Sequence, residues 1–297
     1  MRNWGKLVKS NSGRIFLAVL FVGILLTPVG NLKAEGINYA LRFDGIDDYA
    51  DLGMMNSIYG SDSWRSTKSF VVYFKPDQAG TTCHHDDPAW CKLVAGTKDT
   101  RWWGITQGII LGQDRIWVWN MDDNGLDSIS VEYTPGEWMQ IAVVHSGGLL
   151  KVYKNGSLID SVASGLTLIA EGQNPRLILG SFIYQPPEGT PGFLAYQGLI
   201  DEVRIYSTAL SRESILPHIH TEIPDPQNEV GLLAYYQMSD GPPSPNPMDT
   251  EGQLLTEDTG RGHSGILRNG VQWFGSPIFD DEPIPVTYYL YLPMAIK

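Results

Sequence analysis

Cysteine and basic residues are scarce in this sequence of 297 residues. It holds two cysteines, and its 21 Lys and Arg are outnumbered by 33 Asp and Glu, which gives a formal charge of −12 at pH 7. A strongly acidic chain is repelled by nucleic acid and by anionic membrane surfaces, so we expect neither as a partner. Neutral glycans, cationic proteins and calcium remain compatible with this charge.

Long helical patterns and common catalytic motifs are also missing. No amphipathic helix alternates with strands, which argues against a parallel α/β sheet. There is no P-loop and no dinucleotide-binding fingerprint. Gly262–Gly265, GHSG, does not match the G-x-S-x-G nucleophile elbow. These absences argue against nucleotide-dependent chemistry and against serine-hydrolase chemistry.

The longest hydrophobic run lies near the N-terminus. Ile15–Leu26 follows four basic residues and is short for a membrane span. We interpret residues 1–34 as a signal peptide that is cleaved after Ala34; the alternative is an uncleaved membrane anchor. The signal peptide predicts that the protein is secreted or at the cell surface, with no membrane span in the mature chain.

The two cysteines, Cys83 and Cys91, lie close together in the segment CHHDDPAWC. In an oxidising compartment two nearby cysteines usually form a disulfide, which is our prediction. The alternative is a metal site that adds His84 and His85. Adjacent histidines rarely point at one metal, and zinc motifs usually have paired short spacings, so the disulfide is favoured.

Short alternating strand patterns, separated by turn residues, fill most of the remaining chain. Asn155-Gly156 between two such patterns is the strongest short-range hairpin signal. One short helix is predicted at Ser211–Leu216, with Ser211 as its N-cap. Many short strands with turns between them are typical of a sandwich or jelly roll. The predicted strands are Tyr39–Phe43, Asp47–Leu52, Ser69–Lys75, Cys91–Ala95, Gly108–Leu111, Arg115–Asn120, Trp138–His145, Leu149–Lys154, Ser157–Val162, Arg176–Gly180, Phe193–Tyr206 and Gly231–Met238.

One predicted strand, Gly198–Tyr206, places a carboxylate among aliphatic residues. Strict alternation puts Asp201 on the same face as Val203 and Ile205. A buried ionised carboxylate must be paired, hydrogen-bonded or bound to a metal. The candidates for its partner are a metal ion, Arg42 and backbone N–H groups.

Several segments in this order resemble laminin-G-like jelly-roll domains of the concanavalin A-like lectin/glucanase superfamily. The resemblance implies an all-β fold over residues 35–275, an antiparallel two-sheet jelly-roll sandwich with one short helix. Two further segments resemble blocks that border such domains and are expected to complete the same sandwich rather than to begin a second repeat. The segments are Ala40–Gly53, Ser69–Asp77, Glu137–Gly156, Arg176–Ser181 and Gly198–Ile215, followed by Gly231–Met238 and Glu257–Leu267.

The same resemblance implies a structural Ca²⁺ ion. In the superfamily, an Asp at the start of the final DEVRIY-like strand often binds Ca²⁺ together with oxygens near the first strand. Asp201 matches that position, and Asp44 and Gly45 are the expected further ligands, with Asp47 and Asp48 as additional candidates. Calcium takes six to eight oxygen ligands, which carboxylates and carbonyls supply.

The catalytic pattern of the superfamily's glucanases is missing. Those enzymes carry E-x-D-x-x-E on one strand, so that paired carboxylates enter the cleft. No such run occurs here, and Asp86-Asp87, Asp122-Asp123 and Asp280-Asp281 are adjacent pairs that would point to opposite faces of a strand. We therefore expect a protein that is not an enzyme.

Aromatic residues are the remaining candidates for ligand contact. Trp102 and Trp103 are adjacent, so in an extended chain one of them faces outward and offers a platform for sugar stacking. Tyr184 and Tyr196 flank the loop Gln185–Gly192, which is either a binding rim or a variable surface excursion.

Trp117 and Trp119 alternate on one predicted strand and therefore share a face. Buried aromatics dominate sandwich cores, so we expect both in the core; the alternative places both on the other face of the sheet.

Residues 276–297 are read as an acidic, Pro-rich linker with a C-terminal YLP tail. The ending Tyr288–Lys297 resembles the short Tyr-Leu-Pro endings of some secreted bacterial proteins; the alternative is an added edge strand. Taken together, the sequence predicts a secreted or cell-surface, lectin-like module that binds an extracellular glycan without catalysis. The rivals are an adhesion or structural module that binds a surface protein and, less favoured, a carbohydrate-active enzyme.

Overall fold

The computed structural model describes residues 38–60, 68–81, 92–98, 105–122, 125–164, 174–181, 183–184, 192–219, 221–241 and 250–275. These residues form short strands joined mainly by turns. The strands are β1 Tyr39–Asp44, β2 Tyr49–Met54, β3 Lys68–Pro76, β4 Lys92–Lys98, β5 Ile105–Leu111, β6 Arg115–Asp122, β7 Gly125–Glu132, β8 Met139–Ser146, β9 Leu149–Lys154, β10 Ser157–Ala163, β11 Arg176–Leu179, β12 Ile183–Tyr184, β13 Gly192–Phe193, β14 Gln197–Tyr206, β15 Leu232–Tyr236, β16 Leu254–Leu255, β17 Gly265–Arg268 and β18 Gln272–Gly275.

The strands assemble into two large sheets. Sheet I has the order β10-β9-β8-β3-β14-β1-β18, with β15 also paired to β14. Sheet II has the order β16-β17-β2-β11-β4-β5-β6-β7, and β12 pairs with β13 apart from both sheets. The ladders within both sheets are antiparallel. The expected all-β, two-sheet jelly-roll sandwich is confirmed.

The C-terminal strands complete the same sandwich. β15 pairs with β14, β17 with β2, and β18 with β1. The loop between β16 and β17 is fixed by Glu257, whose carboxylate accepts the backbone N–H groups of Tyr235, Thr259 and Arg261 at 3.3, 2.6 and 3.1 Å. Strands β15 to β18 therefore belong to the same two sheets as the N-terminal strands.

The main hydrophobic core lies between the two sheets and follows the period of two along each strand. Val72 and Ile141 of sheet I and Ile109 and Val118 of sheet II are all buried in this one cluster. Because successive side chains point to opposite faces, the intervening residues lie on the outer faces of the sheets. Each sheet therefore has an inner face toward the core and an outer face of its own.

A β-bulge in β14 places Asp201 on the face of the sheet opposite to the one that the sequence predicted. The register with β3 shifts between Asp201 and Arg204, and Glu202 has a φ of 52°. The extra residue reverses the alternation, so Val203 and Ile205 face the inter-sheet core while Asp201 and Arg204 face outward. The prediction that Asp201 shares a face with Val203 is therefore wrong.

Residues 207–219 and 221–231 cover the outer face of sheet I. Val71 and Ala142 of that face pack with Ile215, Ile219 and Ile223 of the covering segment in a second buried cluster. This packing explains why both faces of the central strands of sheet I are apolar.

A buried polar network ties this covering segment to β14. Arg204 donates from Nη1 to the His218 carbonyl at 2.8 Å and from Nη2 to the Thr221 carbonyl at 3.0 Å. Nη2 also lies 2.5 Å from Oε2 of Glu202, and the Tyr235 hydroxyl donates to that same oxygen at 2.5 Å. The Arg204 and Glu202 side chains are 2% and 0% exposed, so this ion pair is fully removed from water.

Within the residues that the structure describes, two short helices accompany the sheets. α1 spans Met55–Tyr59, and α2 spans Arg212–Ile215 and runs on into a 3₁₀ turn. The Ser211 hydroxyl accepts the Ser214 N–H at 3.3 Å, which confirms the predicted N-cap. No helix in the described part of the chain has the length and apolar character that a membrane span requires.

The predicted hairpin between β9 and β10 is also confirmed. Asn155 and Gly156 both have positive φ, 47° and 72°, as a tight hairpin turn requires. The Asn155 side chain accepts the Gln140 N–H at 2.8 Å, which fixes the turn against β8. Gly156 packs closely under the 3₁₀ turn, because a Cβ atom there would lie 2.4 Å from Cδ1 of Ile219 and 2.7 Å from Cδ2 of Leu216.

Replacing Gly156 by alanine is expected to lower the free energy of unfolding by about 1–3 kcal/mol, because the left-handed backbone and the crowded Cβ both oppose alanine. The matched control is Gly148→Ala, which has a φ of 75° but no neighbour closer than 3.9 Å. Urea unfolding should show a clearly larger loss for Gly156→Ala. Equal losses would mean that the contact with the 3₁₀ turn contributes nothing.

Candidate functional site

The turn between β1 and β2 collects three carboxylates. Oxygens of Asp44, Asp47 and Asp48 all lie within 4.8 Å of one another. The turn is closed by its own side chains, because Asp44 Oδ1 accepts the Ile46 N–H at 2.7 Å and Asp48 Oδ2 accepts the Asp44 N–H at 2.9 Å. Gly45 stands inside the same turn with a φ of 84°. We call residues 44–48 the acidic turn.

Asp48 is the buried member of the acidic turn, with an exposed fraction of 3%. Its Oδ1 atom is buried and has no hydrogen-bond partner. Burial, with a smaller contribution from the charges of Asp44 and Asp47, raises the pKa of Asp48 to about 7. An unpaired carboxylate oxygen beside two further carboxylates is the donor set that a hard cation such as Ca²⁺ prefers, so the acidic turn fits the ion.

Asp201 does not join the acidic turn. Asp44 is paired with Gln197, and Asp201 lies four residues farther along β14, about 13 Å away along the strand. The Asp201 carboxylate accepts the Glu202 N–H at 2.8 Å, whereas Arg42 forms its ion pair with Asp77. The expected ligand set of Asp201 with Asp44 and Gly45 is therefore not brought together, and Arg42 as a partner of Asp201 is wrong.

The outer face of sheet II carries a third apolar cluster, which we call the aromatic face. Ile110, Trp119, Ile178 and Leu194 are buried there together with Leu93, and Tyr49 and Trp117 pack against them half-buried. Ile116 and Val118, which alternate with the two tryptophans along β6, point to the inter-sheet core. The two tryptophans share a face as predicted, but the expectation that they lie in the core between the sheets is wrong.

Polar side chains surround Trp117 on the aromatic face. Ser130 of β7 is its cross-strand neighbour, and Arg115 precedes it by two residues on the same face of β6. Arg115 Nη1 donates to Ser130 Oγ at 3.1 Å, and its Nη2 lies 3.3 Å from Oε1 of Glu132. A half-buried indole is thus flanked by a guanidinium, a hydroxyl and a carboxylate.

Among the other predicted ligand-contacting residues, Tyr196 is the one whose side chain the structure describes. Tyr196 is fully buried, donates its hydroxyl to the Leu199 carbonyl at 3.1 Å, and packs edge-on against Phe43 with ring centroids 6.1 Å apart. Its place on a binding rim is therefore wrong, because its ring is part of the core. The backbone of Tyr184 lies in β12.

The remaining predictions fall outside the described residues. They are the signal peptide 1–34, the Cys83–Cys91 disulfide, the platform at Trp102 or Trp103, and the linker and tail 276–297.

The two antiparallel sheets, their connections and the inter-sheet core define a jelly-roll sandwich of the concanavalin A type. A laminin-G family model, described as Concanavalin A-like lectin/glucanases superfamily, matches residues 44–216, more than half of the chain. The chain belongs to this superfamily. A comparison with curated proteins gives no match.

The solved structures that match this chain are distant in sequence. A candidate carbohydrate-binding protein from Bacteroides ovatus ATCC 8483 has 16% identity and a TM-score of 0.55 over 81% of this chain, which spans 60% of that protein's length. A heptameric SAP-like pentraxin from Limulus polyphemus has 13% identity and a TM-score of 0.42, covering 61% of this chain and 81% of the pentraxin. Domain 4 of AbnA, a GH43 extracellular arabinanase from Geobacillus stearothermophilus in complex with arabinotriose, has 20% identity and a TM-score of 0.38, covering 60% and 75%.

Proposed function

We propose that this protein is a secreted or cell-surface, non-catalytic module that binds carbohydrate on the aromatic face of sheet II. The observation that carries the proposal is the half-buried Trp117 beside Arg115 and Ser130. A sugar ring has an apolar face that stacks on an indole, and its hydroxyl groups need hydrogen-bond partners close to that ring. Trp117 supplies the stacking surface, and Arg115 and Ser130 supply hydrogen-bonding groups beside it.

The fold and the charge of the chain are consistent with this role. The Bacteroides ovatus protein of similar fold is described as a candidate carbohydrate binder. One fold hosts many functions, so the specific site rather than the fold must carry the proposal. A protein-binding adhesion or structural module is the alternative, and it predicts binding to a surface protein with no response to free glycans.

The carboxylates of β14 do not suit glycoside hydrolysis. Such enzymes need two carboxyl groups that flank a bound sugar. Asp201 and Glu202 are both 0% exposed, and Glu202 is held by Arg204 and Tyr235. A substrate cannot reach these two groups in this conformation, so they support structure rather than catalysis.

A structural Ca²⁺ ion at the acidic turn is part of the proposal. Asp44, Asp47 and Asp48 would hold the ion, which would neutralise their mutual repulsion and provide a partner for the buried Oδ1 of Asp48. Secretion is proposed from the signal peptide predicted at residues 1–34, and an extracellular compartment would supply calcium and permit the predicted Cys83–Cys91 disulfide.

Trp117→Ala is expected to weaken glycan binding at least tenfold, which corresponds to about 1.4 kcal/mol, because the stacking surface is lost. Isothermal titration of a glycan that the wild-type protein binds measures this loss, and Trp117→Phe should retain part of the affinity. The matched control is Phe274→Ala, since Phe274 is an aromatic residue of sheet I that is 48% exposed. Equal affinities for Trp117→Ala and the wild type would rule out the aromatic face as the binding site.

A further inference from the structure

The aromatic face carries a second half-buried ring, at the opposite end from Trp117. Tyr49 of β2 packs against the same apolar cluster as Trp117 does. In sheet II, β11, β4 and β5 lie between β2 and β6. Four spacings of about 4.8 Å between neighbouring strands place the backbones of Tyr49 and Trp117 about 19 Å apart. The two rings therefore mark the two ends of one face.

The polar surroundings of Tyr49 are of the same kind as those of Trp117. Arg268 of β17 is the cross-strand partner of Tyr49, so its side chain leaves the sheet beside that ring on the same face. Its Nη1 lies 3.4 Å from Oε1 of Glu251, and both side chains of this ion pair are 38% exposed. Trp117 likewise has beside it an exposed arginine that is paired with a carboxylate at 3.3 Å.

These two ion pairs can take part in binding at little cost. A pair that water reaches contributes at most about 1 kcal/mol to stability, so its members exchange partners readily. A guanidinium has five N–H donors, a carboxylate accepts hydrogen bonds, and a sugar hydroxyl does both. Each end of the aromatic face thus offers a ring for stacking and a donor and an acceptor for hydroxyl groups.

The row of side chains between the two ends is apolar and buried. Trp117 is paired with Ile110, and Ile110 with Leu93, so the row crosses β5 and β4 at the level of Trp117. Leu194 continues it, because its carbonyl accepts the Leu93 N–H at 3.0 Å. These three aliphatic side chains are at most 8% exposed. Among the described residues of this cluster, the aromatic rings that solvent reaches best are therefore those at its two ends.

We propose that Tyr49, Arg268 and Glu251 form a second sugar subsite, and that one polysaccharide chain occupies it together with the subsite at Trp117. The inference rests on the proposed function and names its ligand class, an internal stretch of a polysaccharide rather than a single terminal sugar. One sugar unit in a chain spans roughly 5 Å, about the reach of four single bonds of 1.5 Å. A distance of about 19 Å between the two backbones then corresponds to about four units.

Binding at both subsites makes affinity depend on the length of the ligand. Once one end of a chain is bound, the second contact is intramolecular and takes place at a high effective concentration. A ligand too short to reach both subsites gains nothing from the second one. Affinity should therefore rise steeply near four to five units and change little beyond that length.

The test is isothermal titration of the full-length protein with cello-, xylo-, manno- and arabino-oligosaccharides of two to eight units. In each series that binds, the ligand of six units should bind at least tenfold more tightly than the ligand of three. Tyr49→Leu keeps an apolar side chain against the cluster but removes the ring, and it should abolish this increase. Arg268→Gln should reduce it, and Phe274→Ala, on sheet I, should leave it unchanged.

The proposal is overturned if ligands of three and six units bind equally, or if the increase survives in folded Tyr49→Leu. Binding that does not depend on length, but is lost in Trp117→Ala, would overturn this inference and leave the proposed function intact. Failure of all four series to bind would count against both.

Discussion

Replacing Arg204 by methionine is expected to lower the free energy of unfolding by about 3–5 kcal/mol. The change leaves the Glu202 carboxylate buried without its cation. It also removes the Arg204 donor from the Thr221 carbonyl and leaves the His218 carbonyl with the Tyr73 hydroxyl as its donor. The loss should also release the covering segment from the outer face of sheet I, since Arg204 is its main polar contact with β14. Urea unfolding of the wild type and the variant measures the effect.

The matched control is Arg268→Met, which breaks the half-exposed ion pair with Glu251. Such surface pairs contribute at most about 1 kcal/mol, so the control should change little. The double variant Arg204→Met with Glu202→Gln should be more stable than Arg204→Met alone, because the uncompensated buried charge is gone. If Arg204→Met costs no more than Arg268→Met, the network does not hold the covering segment.

Calcium is expected to stabilise the metal-free protein strongly at pH 8 and weakly at pH 5. At pH 8 Asp48 is ionised, and the acidic turn holds three carboxylates that a divalent cation would neutralise. If Ca²⁺ binds only the folded state, a hundredfold excess over its dissociation constant adds about 2.7 kcal/mol. At pH 5 the buried carboxyl is protonated, since its pKa is about 7, and the ion must displace a proton.

The same raised pKa sets the pH dependence without metal. The folded state holds the Asp48 proton more tightly than the unfolded chain does. Asp48 therefore contributes to the free energy of unfolding in full below about pH 4, and this contribution is lost as the pH rises through about 7. Asp48→Asn should remove this dependence of stability on pH and also the stabilisation by calcium. The matched control is Asp160→Asn, an exposed carboxylate of β10.

Thermal unfolding with and without calcium, at pH 5 and pH 8, measures these effects on protein depleted of metal with a chelating resin. An unchanged melting temperature on adding calcium at pH 8 would show that the acidic turn is not a calcium site.

Local sequence patterns predicted the elements that local chemistry controls. Asn155-Gly156 specifies its hairpin because both residues tolerate positive φ, and Ser211 specifies the start of α2 because its hydroxyl caps the helix. The ordered motifs predicted the sandwich and the superfamily. Helix α1 was not predicted, since Met54 at its N-cap provides no side-chain hydrogen bond that the sequence could reveal.

The site residues whose positions were predicted wrongly are placed by long-range structure. A period of two cannot anticipate the bulge at Glu202, which turns Asp201 away from the Val203 face. The same rule correctly puts Trp117 and Trp119 on one face but cannot say which face meets the other sheet. That choice depends on the whole pattern of β6, in which Ile116 and Val118 face the core.

The sequence also indicated, in part, where polar side chains of sheet II face the core. Gln107 and Asn120 occupy alternating positions whose other members are aliphatic, as in Gln107–Ile109–Leu111 and Ile116–Val118–Asn120. A polar residue at an inward position is a sequence feature that indicates a satisfied network or a site. Their meeting with Lys68 depends on the stacking of two sheets, which no local pattern reports.

A glycan array probed with the full-length protein tests the central claim, carbohydrate recognition on the aromatic face, most directly. The wild type and Phe274→Ala should bind the same set of glycans sharing one sugar unit, and Trp117→Ala should lose that set while keeping a cooperative thermal transition. A wild-type protein that is folded and calcium-loaded yet binds no glycan above background would contradict the account. It would favour the protein-binding alternative instead.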